Sequence, residues 1–191
     1  MNRNIFEEEF NRRYKGTYLK LSQSGSGKEY VISNEEASEA LLVRTEFSCL
    51  DGKTYMHERK PAPFLNAEAV VFFRFCLADV FYPPDFIVFI YGNPVLGRTD
   101  FLIFRYEELK ARLQEIPLRP GKEGFYNLFL WIFMNGFVFV ASNLSGEGEW
   151  YLLGGLEGVG DCLARGGERD FSGYLNNWES ICLVIIPRFN F

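Results

Sequence analysis

The sequence contains few of the residues that metal and redox sites usually require. His57 is the only histidine, and the four cysteines are far apart, with no Cys-x-x-Cys spacing. Zinc sites draw on clustered cysteine and histidine pairs, so this scarcity argues against a zinc centre. The chain also has no apolar run of about 18 residues, the length that a membrane-spanning helix needs. We therefore expect no membrane association, and reduced thiols in a cytoplasmic protein.

Positive charge is also in short supply. The chain has 25 acidic and 20 basic residues, a net charge of −5, and therefore no overall basic field to attract nucleic acid or an anionic membrane. Apolar residues, by contrast, make up 48% of the chain and include 20 phenylalanines. This composition predicts a large core and exposed apolar patches that would bind other molecules. The length fits a single domain, residues 1–191, with an exposed loop or linker near 117–124.

Residues 41–60 combine strand periodicity, turn chemistry and paired opposite charges. Asp51-Gly52 at their centre favours a two-residue hairpin turn, because both positions need positive φ. That turn predicts a register in which Thr45 pairs with Glu58 and Val43 with Lys60. Strand side chains alternate between faces, so the predicted core face comprises Leu41, Val43, Thr45, Phe47, Cys49, Thr54, Met56, Glu58 and Lys60. An otherwise apolar face therefore ends in a carboxylate and an ammonium.

Periodicity and turn signals predict the remaining elements. They are helices over 5–14, 34–39, 67–80, 106–114 and 170–178, strands over 17–21, 29–32, 86–91, 101–104 and 181–186, and a second hairpin over 126–142 around Asn135-Gly136. Hairpins need antiparallel pairing and exclude a purely parallel sheet. The predicted fold is therefore α+β or α/β, with a mixed sheet that contains at least two hairpins and is packed by helices.

Glu58-x-Lys60 at the end of a strand resembles the Glu-x-Lys half of the restriction-endonuclease-like, PD-(D/E)xK, superfamily. The order of elements over 41–178 is also similar to that of compact members of the group. The resemblance implies a nuclease in which Glu58 binds Mg²⁺ and Lys60 steadies the attacking water or the phosphate, with nucleic acid as the substrate. Hard oxygen ligands and a nearby cation suit such phosphodiester hydrolysis.

A second metal-binding carboxylate should lie beside Glu58 if the resemblance holds. The predicted register instead places Thr45 there, and Glu46 is on the other face. Glu39 would lie on the same strand face as Thr45 and is the candidate second ligand. It is nevertheless six residues from Thr45, about 20 Å along a strand. The acidic run 7–9 and Asp79 are alternatives.

A second interpretation of the same charges needs no catalysis. Glu58 and Lys60 then form an ion pair at the rim of the hairpin, and the protein is a non-catalytic interaction module, such as an immunity, inhibitor or adaptor protein, with a protein partner. The strands of the second hairpin are apolar on both faces. We expect them to be covered by helices of the chain or by a second copy of it in a homo-oligomer.

Overall fold

The computed structural model describes residues 4–25, 27–36, 38–48, 67–76, 82–93, 97–115, 125–133, 138–141 and 171–185. Its elements are α1 (Ile5–Arg13), β1 (Leu19–Ser24), β2 (Glu29–Asn34), β3 (Glu39–Phe47), β4 (Ala67–Cys76), β5 (Phe86–Asn93), β6 (Arg98–Arg105), α2 (Tyr106–Glu115), β7 (Phe125–Phe133), β8 (Val138–Ala141), a 3-10 turn (Ser172–Tyr174) and α3 (Glu179–Ile185).

The described strands form two sheets. The larger sheet has five strands in the order β1-β2-β3-β5-β6, and the smaller has three in the order β4-β7-β8. The β3–β5 pair is parallel, and the other described pairs are antiparallel. A mixed sheet packed by helices confirms the predicted α+β class.

One apolar layer lies between the larger sheet and the helices α1 and α3. Phe6 and Phe10 on α1 are buried against Val43, Val88 and other residues of the sheet. The layer is continuous because every second strand residue points to the same face. Trp178, just before α3, joins it through a stacked contact with Phe6, with ring centroids 5.6 Å apart.

The second apolar layer lies between the two sheets. Phe73 and Phe75 on β4 contact Phe89 on β5 edge to face, with ring centroids 4.9 and 5.0 Å apart. Tyr174 stacks on Phe104 at 4.1 Å, and its hydroxyl donates a hydrogen bond to Glu108 of α2. Burial, reinforced by the bond to Glu108, raises the pKa of Tyr174 to about 12.

The prediction of a helix over 67–80 was wrong, because residues 67–76 form β4. Val71, Phe73 and Phe75 are buried while Arg74 between them is exposed, which is the period-two pattern of a strand. The segment is also rich in valine and phenylalanine, whose side chains suit a pleated surface. Its near-continuous apolarity is equally compatible with a buried helix and conceals the alternation.

The predicted register of the first hairpin was also wrong. Val43 has Tyr30 of β2 on one side and Phe86 of β5 on the other, which leaves no edge for Lys60. Thr45 pairs with Val88, while its amide and its hydroxyl both donate to the carbonyl of Lys28, at 2.7 and 3.0 Å. The Asp51-Gly52 turn lies outside the described residues.

The second hairpin is confirmed as an antiparallel β7–β8 pair, with β7 in the centre of the smaller sheet. Its register pairs Ile132 with Val138, whereas a two-residue turn at Asn135-Gly136 would pair Ile132 with Phe139. The pairing therefore differs by one residue from that prediction. The turn residues themselves are outside the described ranges.

Three shorter elements also differ from prediction. The described residues of the range 34–39 do not form the predicted helix, since Asn34 ends β2, its side chain accepts the amide of Glu36 at 3.0 Å, and Glu39 begins β3. The predicted helix over 170–178 is a 3-10 turn followed by Asn176 at positive φ (52°). The predicted strand over 181–186 is helix α3, which buries Ile181 and Ile185 at helical spacing. Phe171, Tyr174 and Trp178 are nevertheless buried, as predicted.

The strand assignment of β4 predicts unequal effects of two neighbouring substitutions. Phe73→Ala removes a fully buried ring and should lower the free energy of unfolding by about 3 to 5 kcal/mol. Arg74→Ala, on the exposed face, should change it by about 1 kcal/mol or less. Urea unfolding followed by tryptophan fluorescence measures both values, and similar losses in the two variants would contradict the opposite-face arrangement.

Candidate functional site

A group of polar residues lies at one end of the larger sheet, on the face that meets the smaller sheet. Because β3 and β5 are parallel, their carboxyl ends meet at the same edge, a common position for ligand sites. The side chains on this face are apolar at Ile87 and Phe89 and become polar towards that end. We call this group the polar band: Lys28, Arg44, Glu46, Tyr91, Asn93, Arg98 and Asp100.

Glu46 is the first buried carboxylate of the polar band, and its side chain is 5% exposed. Lys28 Nζ donates to Oε2 at 2.8 Å, and Arg44 Nε donates to Oε1 at 2.9 Å. Arg44 and Glu46 share a face because they are two residues apart on one strand. Two charge-assisted bonds offset the cost of burying this carboxylate.

Asp100 is the second buried carboxylate, on β6 opposite Tyr91. Its Oδ1 accepts hydrogen bonds from Arg98 Nε at 2.7 Å and Asn176 Nδ2 at 3.0 Å, and its Oδ2 accepts one from Asn93 Nδ2 at 2.8 Å. Asn176 also exchanges bonds with the backbone of Phe101. The carboxylate therefore fixes both the end of the β5–β6 pair and the segment that packs along β6.

Tyr91 has the unsatisfied polar group of the band. Its side chain is fully buried, and its hydroxyl makes no hydrogen bond within the structure as described. Burial raises the pKa of Tyr91 well above its ordinary value of about 10, and the charge of Asp100 adds to the shift. A buried hydroxyl without a hydrogen-bond partner is unusual in a folded protein.

In the polar band the acidic side chains are buried and the basic side chains are more exposed. The side chains of Glu46 and Asp100 are 5% and 1% exposed, whereas those of Lys28 and Arg98 are 51% and 54% exposed and that of Arg44 is 21% exposed. Among the described contacts, Arg44 and Arg98 use only Nε in these bonds, which leaves their terminal nitrogens as donors. The band therefore presents positive charge to an incoming ligand.

The site residues predicted from the sequence lie elsewhere. Glu58 and Lys60 are outside the described residues. Glu39 is the exposed first residue of β3, seven positions from Glu46, or about 23 Å along the strand, and on the opposite face. Within the described ranges, no group of three or more histidine, cysteine or acidic side chains could hold a metal ion. The metal-binding roles of Glu58 and Glu39 stay predictions.

Sequence reasoning missed both buried carboxylates. It placed Glu46 on the second face of β3, as observed, but took the first face as the core face, because the smaller sheet that covers the second face was not predicted. The strand predicted over 101–104 leaves out Asp100, although β6 begins at Arg98. The available signal was the spacing of Arg44-x-Glu46 and Arg98-x-Asp100, two pairs of opposite charge that each share one face of a strand.

No family model, curated protein or solved structure matches this chain. None of the helices in the described ranges is long and apolar enough to cross a membrane. That finding agrees with the absence of a long apolar run in the sequence.

The burial of Glu46 predicts that its charge matters more than that of an exposed carboxylate. Glu46→Gln leaves Lys28 and Arg44 without their anion and should lower the free energy of unfolding by about 1 to 3 kcal/mol. Glu35→Gln is the matched control, since Glu35 pairs with Lys20 at the surface and should cost about 0 to 1 kcal/mol. Chemical denaturation of both variants at neutral pH compares them, and equal costs would show that Glu46 is effectively solvated.

The unpaired hydroxyl of Tyr91 predicts a stabilising substitution. Tyr91→Phe removes a buried polar group and keeps the ring contact with Phe73, so the free energy of unfolding should rise by about 1 kcal/mol at pH 7. The raised pKa adds a pH dependence: the neutral phenol is favoured in the folded state, so the wild-type protein should lose stability above about pH 10, and Tyr91→Phe should lose less. A decrease in stability at pH 7, measured by thermal denaturation, would mean that the hydroxyl has a partner.

Proposed function

We propose that this protein is a nucleic-acid-binding relative of the restriction-endonuclease-like nucleases, and that its polar band holds the phosphate backbone of the nucleic acid. The observation that carries the proposal is the separation of charge by exposure at the carboxyl ends of β3 and β5. Buried Glu46 and Asp100 hold Lys28, Arg44 and Arg98, whose charges are the accessible ones.

Phosphate recognition is the chemistry that this arrangement favours. Arginine presents a planar fork of donors that matches phosphate oxygens, and lysine acts as a mobile point charge. A carboxylate that binds one nitrogen of each cation orients that cation and leaves other donors for the ligand. Binding of this kind is local, which is compatible with a net charge of −5 for the whole chain.

The described carboxylates do not fit a shared Mg²⁺ ion. Both oxygens of Glu46 and both of Asp100 already accept hydrogen bonds, and the two residues are about 12 Å apart, across two strand spacings and two residues along the strands. Magnesium requires oxygen ligands that converge on one point. Metal-dependent cleavage therefore rests on Glu58, with Lys60 and Glu39, as the sequence predicts.

The alternative function is a non-catalytic interaction module with a protein partner. It is favoured by the hydrogen bonds that both oxygens of Glu46 and of Asp100 already accept. Carboxylates bonded in this way stabilise the fold without any ligand. Nucleic-acid binding distinguishes the two functions. A protein-interaction module gives no affinity that depends on the cations of the polar band.

The binding experiment measures fluorescence anisotropy with labelled single- and double-stranded DNA and RNA over a range of salt concentrations. Lys28→Ala and Arg98→Ala should each weaken binding several-fold and reduce the slope of log affinity against log salt by about 1 for each phosphate that is no longer neutralised. Lys20→Ala is the matched control, since Lys20 is a comparably exposed lysine paired with a glutamate outside the band. Equal effects of Lys28→Ala and Lys20→Ala, or no binding at all, would contradict the proposal and favour the interaction module.

The same nucleic acids, incubated with Mg²⁺ or Mn²⁺, test whether the relative is also a nuclease. Cleavage that Lys60→Ala and Glu58→Gln abolish, with the fold intact by circular dichroism, would establish the catalytic pair predicted from the sequence. Glu39→Gln tests the second ligand in the same assay. Binding without cleavage would identify a relative that keeps the nucleic-acid site and has lost the reaction.

A further inference from the structure

A separate cleft lies between α1 and the outer strand β6. Its volume is about 480 Å³, and its lining is mostly charged: Ile5, Glu8, Glu9, Arg12, Arg13, Arg98, Thr99, Asp100, Phe101 and Asn176. It meets the polar band at Arg98 and Asp100. The residues of α1 that line it take no part in the band.

Carboxylates hold the guanidinium groups of this cleft in place. Glu9 accepts two hydrogen bonds from Arg12, from Nε at 2.8 Å and from Nη2 at 2.6 Å, and one from Arg13 Nε at 2.6 Å. Asp100 accepts one from Arg98 Nε at 2.7 Å. The bond from Arg12 is the main reason why the pKa of Glu9 is lowered. Arg13 also lies over the ring of Trp178, 5.2 Å from its centroid, which further restricts its guanidinium.

The accessible charge of the cleft is positive although its formal charges cancel. The side chains of Arg12, Arg98 and Arg13 are 66%, 54% and 34% exposed, whereas those of Glu9 and Asp100 are 20% and 1% exposed. Glu8 is the exception, an exposed carboxylate. An entering ligand therefore meets the three guanidinium groups more readily than the carboxylates of Glu9 and Asp100.

We infer that this cleft binds a phosphate monoester. A monoester carries about −1.5 to −2 charge at pH 7, which suits a cleft whose three guanidinium groups are more exposed than the carboxylates that hold them, and its oxygens would accept from the guanidinium nitrogens that do not bind Glu9 or Asp100. The volume is in the range of about 300 to 1,000 Å³ that is typical of small-molecule sites. Ile5 and Phe101 are the apolar residues of the lining, and the charged residues that line it are the groups that would contact the phosphate. Free mononucleotides and the 5′-phosphorylated end of a strand share this chemistry.

Isothermal titration calorimetry with adenosine 5′-monophosphate, inorganic phosphate and adenosine tests the inference. Adenosine monophosphate and phosphate should bind, and adenosine should not. Arg12→Gln should weaken phosphate binding about tenfold, and Glu8→Gln should strengthen it several-fold, because each changes one accessible charge of the cleft. Thermal denaturation checks that both variants fold. Absence of phosphate binding at millimolar concentration, or weaker binding in Glu8→Gln, would overturn the inference.

Arg44→Gln is the control that separates this cleft from the polar band. Arg44→Gln should leave adenosine monophosphate binding unchanged and weaken nucleic-acid binding. Arg12→Gln should weaken adenosine monophosphate binding and leave the binding of an unphosphorylated strand unchanged. Loss of adenosine monophosphate binding in Arg44→Gln would contradict a separate site. Oligonucleotides with a 5′-phosphate or a 5′-hydroxyl identify the source of the ligand: a preference for the phosphate that Arg12→Gln removes assigns the cleft to strand ends, and equal affinities assign it to free monoesters.

Discussion

The parallel pairing of β3 with β5 is the constraint on which the rest of the structure depends. Parallel neighbours cannot be joined by a tight turn, so the chain leaves the larger sheet after Phe47, contributes β4 to the smaller sheet and returns at Phe86. That route brings the second sheet over one face of β5, while α1 and α3 cover the other. All residues from Phe86 to Tyr91 are consequently buried.

Buried acidic groups determine where the positive charges lie in the polar band and in the cleft beside α1. Glu46, Asp100 and, to a lesser degree, Glu9 are shielded from solvent, and each is hydrogen-bonded to one or two cations that remain more exposed. A buried carboxylate without such partners would be strongly unfavourable, so the cations are held close to it. An acidic protein can in this way present a local positive surface, because solvent exposure rather than total charge determines what a ligand meets.

The candidate site was only partly predictable. Strand parity correctly assigned Leu41, Val43 and Thr45 to one face of β3 and Glu46 to the other, because alternation is a property of the local backbone. Parity could not show that the face of Glu46 is also covered, since the second sheet comes from residues far along the chain. The sequence therefore predicted a charged pair on an apolar face at Glu58 and Lys60, which lie outside the described residues, and the buried positions of Glu46 and Asp100 depended on the tertiary structure.

Local sequence by itself determined the type and approximate position of α1, β2, β5, β6 and α2, from periodicity, helix-favouring residues and breakers such as Pro117, although β2, β5 and β6 extend two or more residues beyond the predicted strands. Phe171, Tyr174 and Trp178 are core residues as predicted, although the helix from whose spacing they were predicted is a 3-10 turn. Tertiary structure decided that residues 67–76 are a strand, that residues 179–185 are a helix, and which strands flank β3. The physical reason is that segments apolar on nearly every side satisfy both periods, and the choice between them depends on the hydrogen-bonding partners and neighbouring layers that the folded chain supplies.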